Sequence, residues 1–334
     1  MAVLVTGASG FVGINVVERL LEAGERVVAV DRSHFPSDTS ESAIRHREAL
    51  ATAEVDVAKP MEVDALFRRF PVDRVVHAAA ITSDAAREAA EPRRIVDVNV
   101  LGTINVLTAA RQAGCRRLVY VGSGQAYGRT HDEGLPLVED LSASRPADVY
   151  GISKFAAEQI SLRLGELWPM DIVAVRLGSV CGPWELDTGV RDLLSPYFQV
   201  ARLAILGEAA VVPEHEPRRD WIYSRDAAEG IACALFAPAP AHSLYHLSSG
   251  TDWHSRFLEW CDVLASAYPR FSWRLADQRD APNVSFVVQR DRSPMNIDRI
   301  VEDLHFKPRF EPALAFEDYI AWIRTHEATF CMRR

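Results

Sequence analysis

Three residues of this chain can together move a proton to or from an alcohol. Tyr150 and Lys154 lie four apart in Tyr150-Gly151-Ile152-Ser153-Lys154, and Ser123 lies upstream in Val121-Gly122-Ser123-Gly124. A free tyrosine titrates near ~10, too high for a base at neutral pH. On a helix, a spacing of four sets the Lys154 ammonium on the same face as the Tyr150 phenol. It can stabilise the phenolate and lower that pKa, while the serine hydroxyl holds the substrate oxygen. The same spacing also arises by chance as a surface pair, so the reading depends on what accompanies it.

What accompanies it is a phosphate-binding turn. Gly7-Ala8-Ser9-Gly10-Phe11-Val12-Gly13 directly follows the apolar run Ala2-Val3-Leu4-Val5. Gly7, Gly10 and Gly13 at a strand-to-helix turn allow a tight bend and close approach of backbone N–H groups to a pyrophosphate. The following helix offers its positive end. Asp31 closes the next strand, about twenty residues past the turn. Its carboxylate can accept both adenosine ribose hydroxyls and would repel a 2′-phosphate, which favours NAD over NADP; the alternative is a solvated strand end. Arg32 could stack on adenine or soften the preference. Asp56, with Val57 beside it, is a candidate for the adenine amino group or an ordinary turn carboxylate. Together the two clusters point to nicotinamide redox chemistry at a hydroxyl group.

The elements that position these residues alternate. Ala2-Val5, Arg26-Val30, Glu54-Val57, Arg74-His77, Arg117-Val121 and Asp171-Arg176 read as strands. Phe11-Ala23 (ended by Gly24), Met61-Phe70, Pro92-Ala113 (ended by Gly114) and Val149-Leu167 read as helices. The alternation predicts a Rossmann-type, doubly wound parallel α/β sheet. It weakens after Gly178, where Pro183, Pro196, Pro213 and Pro217 appear. Residues 1–177 are expected to form the NAD-binding domain. Residues 178–334 are expected to form mainly a smaller, interleaved substrate region, with Trp221-Tyr223 and Leu244-Leu247 returning to the main sheet.

Bulk properties narrow the class. A net charge of -9 excludes a basic nucleic-acid footprint. No apolar run reaches the ~18 residues of a membrane span. The five cysteines, Cys115, Cys181, Cys233, Cys261 and Cys331, show no metal-binding spacing, so no metal site is expected and a reducing, cytoplasmic setting is. A strand begins within two residues of Met1, which does not fit a cleavable signal peptide.

The chain resembles the extended short-chain dehydrogenase/reductase family, also called the NAD-dependent epimerase/dehydratase family. The resemblance rests on Thr6 to Gly13, His77-Ala78-Ala79-Ala80, Asn99-Val100-Leu101-Gly102-Thr103, Ala126-Tyr127-Gly128, Tyr150 to Lys154, Arg219-Asp220-Trp221-Ile222-Tyr223, and the tail from Met295 to Trp322. It implies that Tyr150 is the acid/base, that Lys154 tunes it and binds ribose, and that Ser123 orients the substrate oxygen. It implies a cofactor site of Gly7, Ser9, Gly10, Phe11, Val12, Gly13, Asp31, Arg32, Asp56, Val57, Ala78, Ala79, Ala80, Asn99, Val121, Tyr150, Lys154 and Gly178. Phe11 and Val12 would present backbone to the pyrophosphate, and Ala78 to Ala80 would line the cofactor. Asn99 would order the active-site helix or serve as a buried structural asparagine. His77 reads as a strand-end packing residue.

The substrate side is expected to include Ser123, Gln125, Tyr150, Ser179 and Arg219. Relatives resembling sugar dehydratases or decarboxylases carry a carboxylate after the hydroxyl residue; here stand Gly124-Gln125, which disfavours elimination. The family's Arg-x-x-Asn-Val-Tyr-Gly-Pro run reads Arg176-Leu177-Gly178-Ser179-Val180-Cys181-Gly182-Pro183. Ser179 and Cys181 replace Asn and Tyr, which puts a nucleotide sugar in question. Arg219 could grip a diphosphate, hold a sugar-acid carboxylate with Arg218, or pair with Asp220. Asp187 to Asp192, with Arg191 inside, reads as a solvated loop, with a substrate lid as the alternative. The expected activity is hydride transfer at a secondary alcohol of a sugar or nucleotide sugar, epimerase-type through a transient ketone. Net dehydrogenation of a sugar or sugar acid and a non-catalytic NAD sensor are the alternatives. A homodimer through the helices of Asn99 and Tyr150 is expected, with Asn105-Ala109 and Phe155-Ile160 offering apolar positions.

Overall fold

The structure is a computed structural model that describes residues 1–130, 135–250, 253, 256–279, 281–286 and 291–331, with the side chains of 329–331 outside it. The fifth cysteine, Cys331, falls among those side chains.

A seven-stranded, all-parallel sheet forms the centre. Its strands are β1 (Ala2–Thr6), β2 (Val27–Asp31), β3 (Leu50–Glu54), β4 (Val72–His77), β5 (Arg117–Ser123), β6 (Asp171–Leu177) and, from later in the chain, β10 (Leu244–Leu247). Their order across the sheet is β10-β6-β5-β4-β1-β2-β3. The strand order reverses between β1 and β4, which opens the crevice where such sheets bind ligands. Successive side chains of a strand point to opposite faces. Val3 and Val5 enter one apolar cluster, and Ala2 and Leu4 enter the other. Both faces are therefore covered, which is why the strands read as unbroken apolar runs.

Helices α1 (Phe11–Glu22) and α9 (Ser224–Phe236) cover the first face through Ile14, Val17, Ala227 and Ile231. Helices α3 (Pro60–Arg69), α6 (Gly102–Gln112) and α7 (Val149–Leu167) cover the second through Leu66, Leu107 and Ala157. Beyond the first face, α8 (Pro196–Leu206), α10 (Arg256–Ala267) and α12 (Pro312–Cys331) enclose an aromatic cluster. There Trp260 stacks on Tyr319 with centroids 5.2 Å apart.

Several expected elements shift. The third strand is Leu50–Glu54, not 54–57. It is an edge strand with half-exposed Ala and Thr side chains, so its apolar signal is weak. Val57 is instead buried against the start of α6, where a Cβ on Gly102 would come within 2.8 Å of it. The helix expected over 92–113 is α5 (Pro92–Val96), a π-helical turn at Asp97–Leu101, and α6. Leu244–Leu247 does join the main sheet, beside β6. Trp221–Tyr223 (β9) does not: it pairs in parallel with Ser179–Cys181 (β7) in a separate two-stranded sheet. Val106, Leu107 and Ala109 face the core, so residues 105–109 do not offer an exposed apolar stripe.

Candidate active site

The crevice at the carboxyl ends of β1, β4 and β5 is one cavity of about 490 Å³, within the range of small-molecule sites. The glycine turn forms one wall. Gly7 has φ +67°, and a Cβ there would lie 2.6 Å from the backbone nitrogen of Ala79. A Cβ on Gly13 would lie 2.0 Å from the Gly7 carbonyl oxygen. These two glycines let β1, the turn and α1 pack closely. Gly10 precedes α1, which has no side-chain cap and no acidic residue in its first turn. The first N–H groups of a helix lack internal partners. Here they border the cavity with Ser9, Gly10, Phe11 and Val12. An uncapped, positive helix end over this cavity suits the diphosphate of a dinucleotide.

Asp31 stands beside this turn. One carboxylate oxygen accepts from the Ser9 N–H at 3.0 Å and the other from the Ser33 N–H at 3.2 Å. Arg32 is exposed and borders a shallower hollow with Arg93 and Arg94. Asp56 accepts from Arg94 at 2.8 Å and from the Ala58 N–H at 3.0 Å. Burial is the largest single influence and opposes its charge, but the Arg94 hydrogen bond, the Ala58 N–H and the charges of Arg94 and Arg32 together outweigh it, so its carboxyl is held below the usual range. Ala78 and Ala80 line the cavity, while Ala79 packs on Gly7.

Asn99 sits in the π turn, fully buried. Its amide accepts from the Ile81 N–H at 2.8 Å and donates to the Ile81 carbonyl at 3.1 Å and to Ser153 Oγ at 2.9 Å. The bond to Ser153 ties Asn99 directly to α7. His77 lies between Thr6 and Thr103, with ring nitrogens 2.7 and 3.0 Å from their hydroxyls. Burial pushes its pKa down to about 3, in keeping with a packing role.

Ser123, Tyr150 and Lys154, the three residues expected to handle the proton, share the cavity with the glycine turn. Ser123 ends β5, and Val121 lies two residues before it. Tyr150 is in the first turn of α7, whose N-cap Asp148 accepts from the Gly151 N–H at 2.6 Å. Lys154 is buried one turn further on. Its Nζ donates to the Val121 carbonyl at 2.6 Å and lies 4.5 Å from the centre of the Tyr120 ring. Burial drives its pKa down to about 7, and Glu158 acts in the opposite direction. Glu158 is itself held by Arg176 at 2.6 and 2.8 Å.

On the substrate side, Gln125 donates to Asp148 Oδ2 at 3.2 Å and accepts from Arg292. Ser179 and Arg219 line the cavity, as does Gly178, where a Cβ would approach the Asp220 carbonyl oxygen to 2.7 Å. Asp220 accepts from Ser248 Oγ and from the Met295 N–H at 2.8 Å, and burial pushes it up to about 6.

Sequence reasoning missed several cavity residues. Arg292 arrives from a segment without a recognisable motif, and Met295, named above only as the start of the family-like tail, joins it on the cavity wall. Glu88 sits on α4 (Ala85–Ala90), a short run of alanines that carries no signal of chemistry. The loop around Asp187 to Asp192 is not simply solvated. Asp192 accepts from Arg87 at 3.1 Å, its N–H donates to the Thr82 carbonyl at 3.2 Å, and Thr188, Val190 and Arg191 line the cavity. It straps across to residues 82–87.

Comparison with known proteins agrees with this geometry. The model of the NAD dependent epimerase/dehydratase family matches residues 3–245. A UDP-glucose 4-epimerase of Pisum sativum is 30% identical over 257 residues, covering 70% of this chain and 71% of that protein. A UDP-glucuronate 4-epimerase of Thermodesulfobacterium geofontis is 27% identical over 238 residues, covering 70% and 71%. The solved UDP-glucose 4-epimerase of Bifidobacterium longum, in complex with NAD+ and UDP, superposes with a TM-score of 0.77. It is 19% identical and covers 99% of this chain and 100% of that one, a likeness that shows the shared fold. By its sequence match and its sheet, this chain belongs to the NAD-dependent epimerase/dehydratase family of extended short-chain dehydrogenases/reductases, whose cofactor is NAD.

Proposed function

We propose that this enzyme inverts a secondary alcohol of a nucleotide-linked sugar through a transient ketone. The observation that supports this most is the meeting of Ser123, Tyr150 and Lys154 with the glycine turn in one cavity. NAD, when bound along the glycine turn, would supply a reversible hydride acceptor for the carbinol carbon. Tyr150 takes the alcohol proton and returns it to the ketone oxygen. The Lys154 ammonium stabilises the phenolate, and the Val121 carbonyl fixes its Nζ. Ser123 donates to the substrate oxygen. Arg219 and Arg292, both on the cavity wall, suit the diphosphate of the substrate. Gln125, an amide, offers no carboxylate for elimination. In this reading residues 1–177 hold mainly the cofactor and residues 178–334 mainly the substrate.

The test is incubation with UDP-glucose, with the product resolved by chromatography and NADH absorbance followed in parallel. A new stereoisomer without net NADH supports the reading. Stoichiometric NADH with a ketone or acid product would replace it with net dehydrogenation.

Assembly and location belong to the same proposal. Val96, Leu101 and Ile152 are exposed at 41%, 47% and 51% on α5, the π turn and α7, which supports a homodimer through those helices. Light scattering at twice the chain mass is the expected result. Cys115, Cys181, Cys233 and Cys261 are free thiols, which supports a cytoplasmic location.

A further inference from the structure

One carboxylate in the cavity has no part in the proton chemistry above. Glu88 lines the cavity from α4, as Ser123 and Tyr150 do from β5 and α7. Its Oε1 accepts from the Tyr150 backbone N–H at 3.0 Å and from Ser83 Oγ at 3.3 Å. These two bonds fix the side chain against the first turn of α7. They do not account for its charge, because the helix already has Asp148 as its cap. Neighbouring cations are committed elsewhere: Arg87 pairs with Asp192 and Glu91. Of the cations lining the cavity, Lys154 donates to the Val121 carbonyl, Arg191 pairs with Glu185, and Arg292 meets Gln125, while Arg219 comes from the other half of the chain. Glu88 pairs with no cation among the described residues.

A carboxylate on a cavity wall loses water when a ligand docks, and a hydrogen-bond donor on the ligand must replace that water. A sugar ring offers hydroxyl donors. A ring carrying its own carboxylate brings like charge to the same wall, and the repulsion at close range opposes its binding. We propose that Glu88 is a specificity residue: it accepts a hydrogen bond from a ring hydroxyl and selects neutral nucleotide sugars over nucleotide uronates. This rests on the nucleotide-sugar reading given above. It separates the two activities named among the relatives, a UDP-glucose and a UDP-glucuronate 4-epimerase.

The experiment measures kcat/KM for UDP-glucose and UDP-glucuronate with the wild type and with Glu88→Gln, alongside NAD content and thermal melting. Glutamine keeps an acceptor oxygen for the Tyr150 N–H and removes only the charge. The wild type should prefer UDP-glucose. The substitution should lower the preference by about a hundredfold, with UDP-glucuronate gaining and UDP-glucose losing. A merely structural Glu88 would weaken both substrates alike, so an unchanged ratio overturns the inference. A wild type that prefers UDP-glucuronate overturns it too, while the epimerase reading stands. Neither substrate bound nor converted by the wild type would refute the nucleotide-sugar reading itself, and this inference with it.

Discussion

Lys154 Nζ lies 2.6 Å from the carbonyl oxygen of Val121. This one bond ties the helix that carries Tyr150 to the strand end that carries Ser123. It buries the ammonium as well, and burial is what brings the lysine down to about 7. A lysine poised there can share a proton economy with a phenol at physiological pH.

Tyr150→Phe removes the hydroxyl proposed to move the proton and leaves the backbone bond to Glu88 in place. Turnover should fall by about a thousandfold or more, with NAD retained on purified protein. Surviving activity on a confirmed substrate would take the acid/base role from Tyr150.

Asp31 accepts from Ser9 and Ser33 at the edge of the glycine turn. Asp31→Ala should weaken NAD and relax the rejection of NADP, narrowing the ratio of their dissociation constants by about tenfold or more. Titration by fluorescence quenching measures both. An unchanged ratio would place cofactor choice elsewhere.

The Arg87–Asp192 pair links α4 to the loop around Asp187 to Asp192 at the border of the cavity, with both side chains mostly buried. Arg87→Ala should speed NAD release about fivefold, the equivalent of ~1 kcal/mol for one partly buried pair. Stopped-flow displacement reads this rate. No change in release would make the strap a passive wall.

Burial pushes both His77 and His246 down to about 3. In the unfolded chain they titrate near ~6.5. Between those values the unfolded chain binds more protons than the folded one, so stability falls as pH is lowered through that window. His77→Gln should flatten the melting-temperature curve between about pH 6 and pH 4, by at most ~1.4 kcal/mol per pH unit. An equally steep curve in the variant would mean that His77 is already charged in the folded protein.

The parts of the site set by backbone pattern were legible in the sequence. The glycine turn, Asp31 at the end of β2, and the Tyr150–Lys154 spacing all follow from local period and turn chemistry. The strand at 50–54 was misplaced because an edge strand needs little apolar surface. The π turn at 97–101 was invisible because a single widened turn leaves hydrophobic spacing almost unaltered. Pairing of β9 with β7 depends on contacts between distant segments. For the same reason Glu88 and Arg292 carried no signal: their roles arise only where α4, the glycine turn and the segment after residue 290 converge.

Most direct for the central claim is a sugar nucleotide carrying deuterium at the reacting carbon. The enzyme should invert that carbon and keep the deuterium there, without loss to water and without accumulating reduced cofactor, as read by mass spectrometry and proton NMR of the product. Inversion with washout of deuterium into solvent would mean proton abstraction from carbon and would contradict the hydride account.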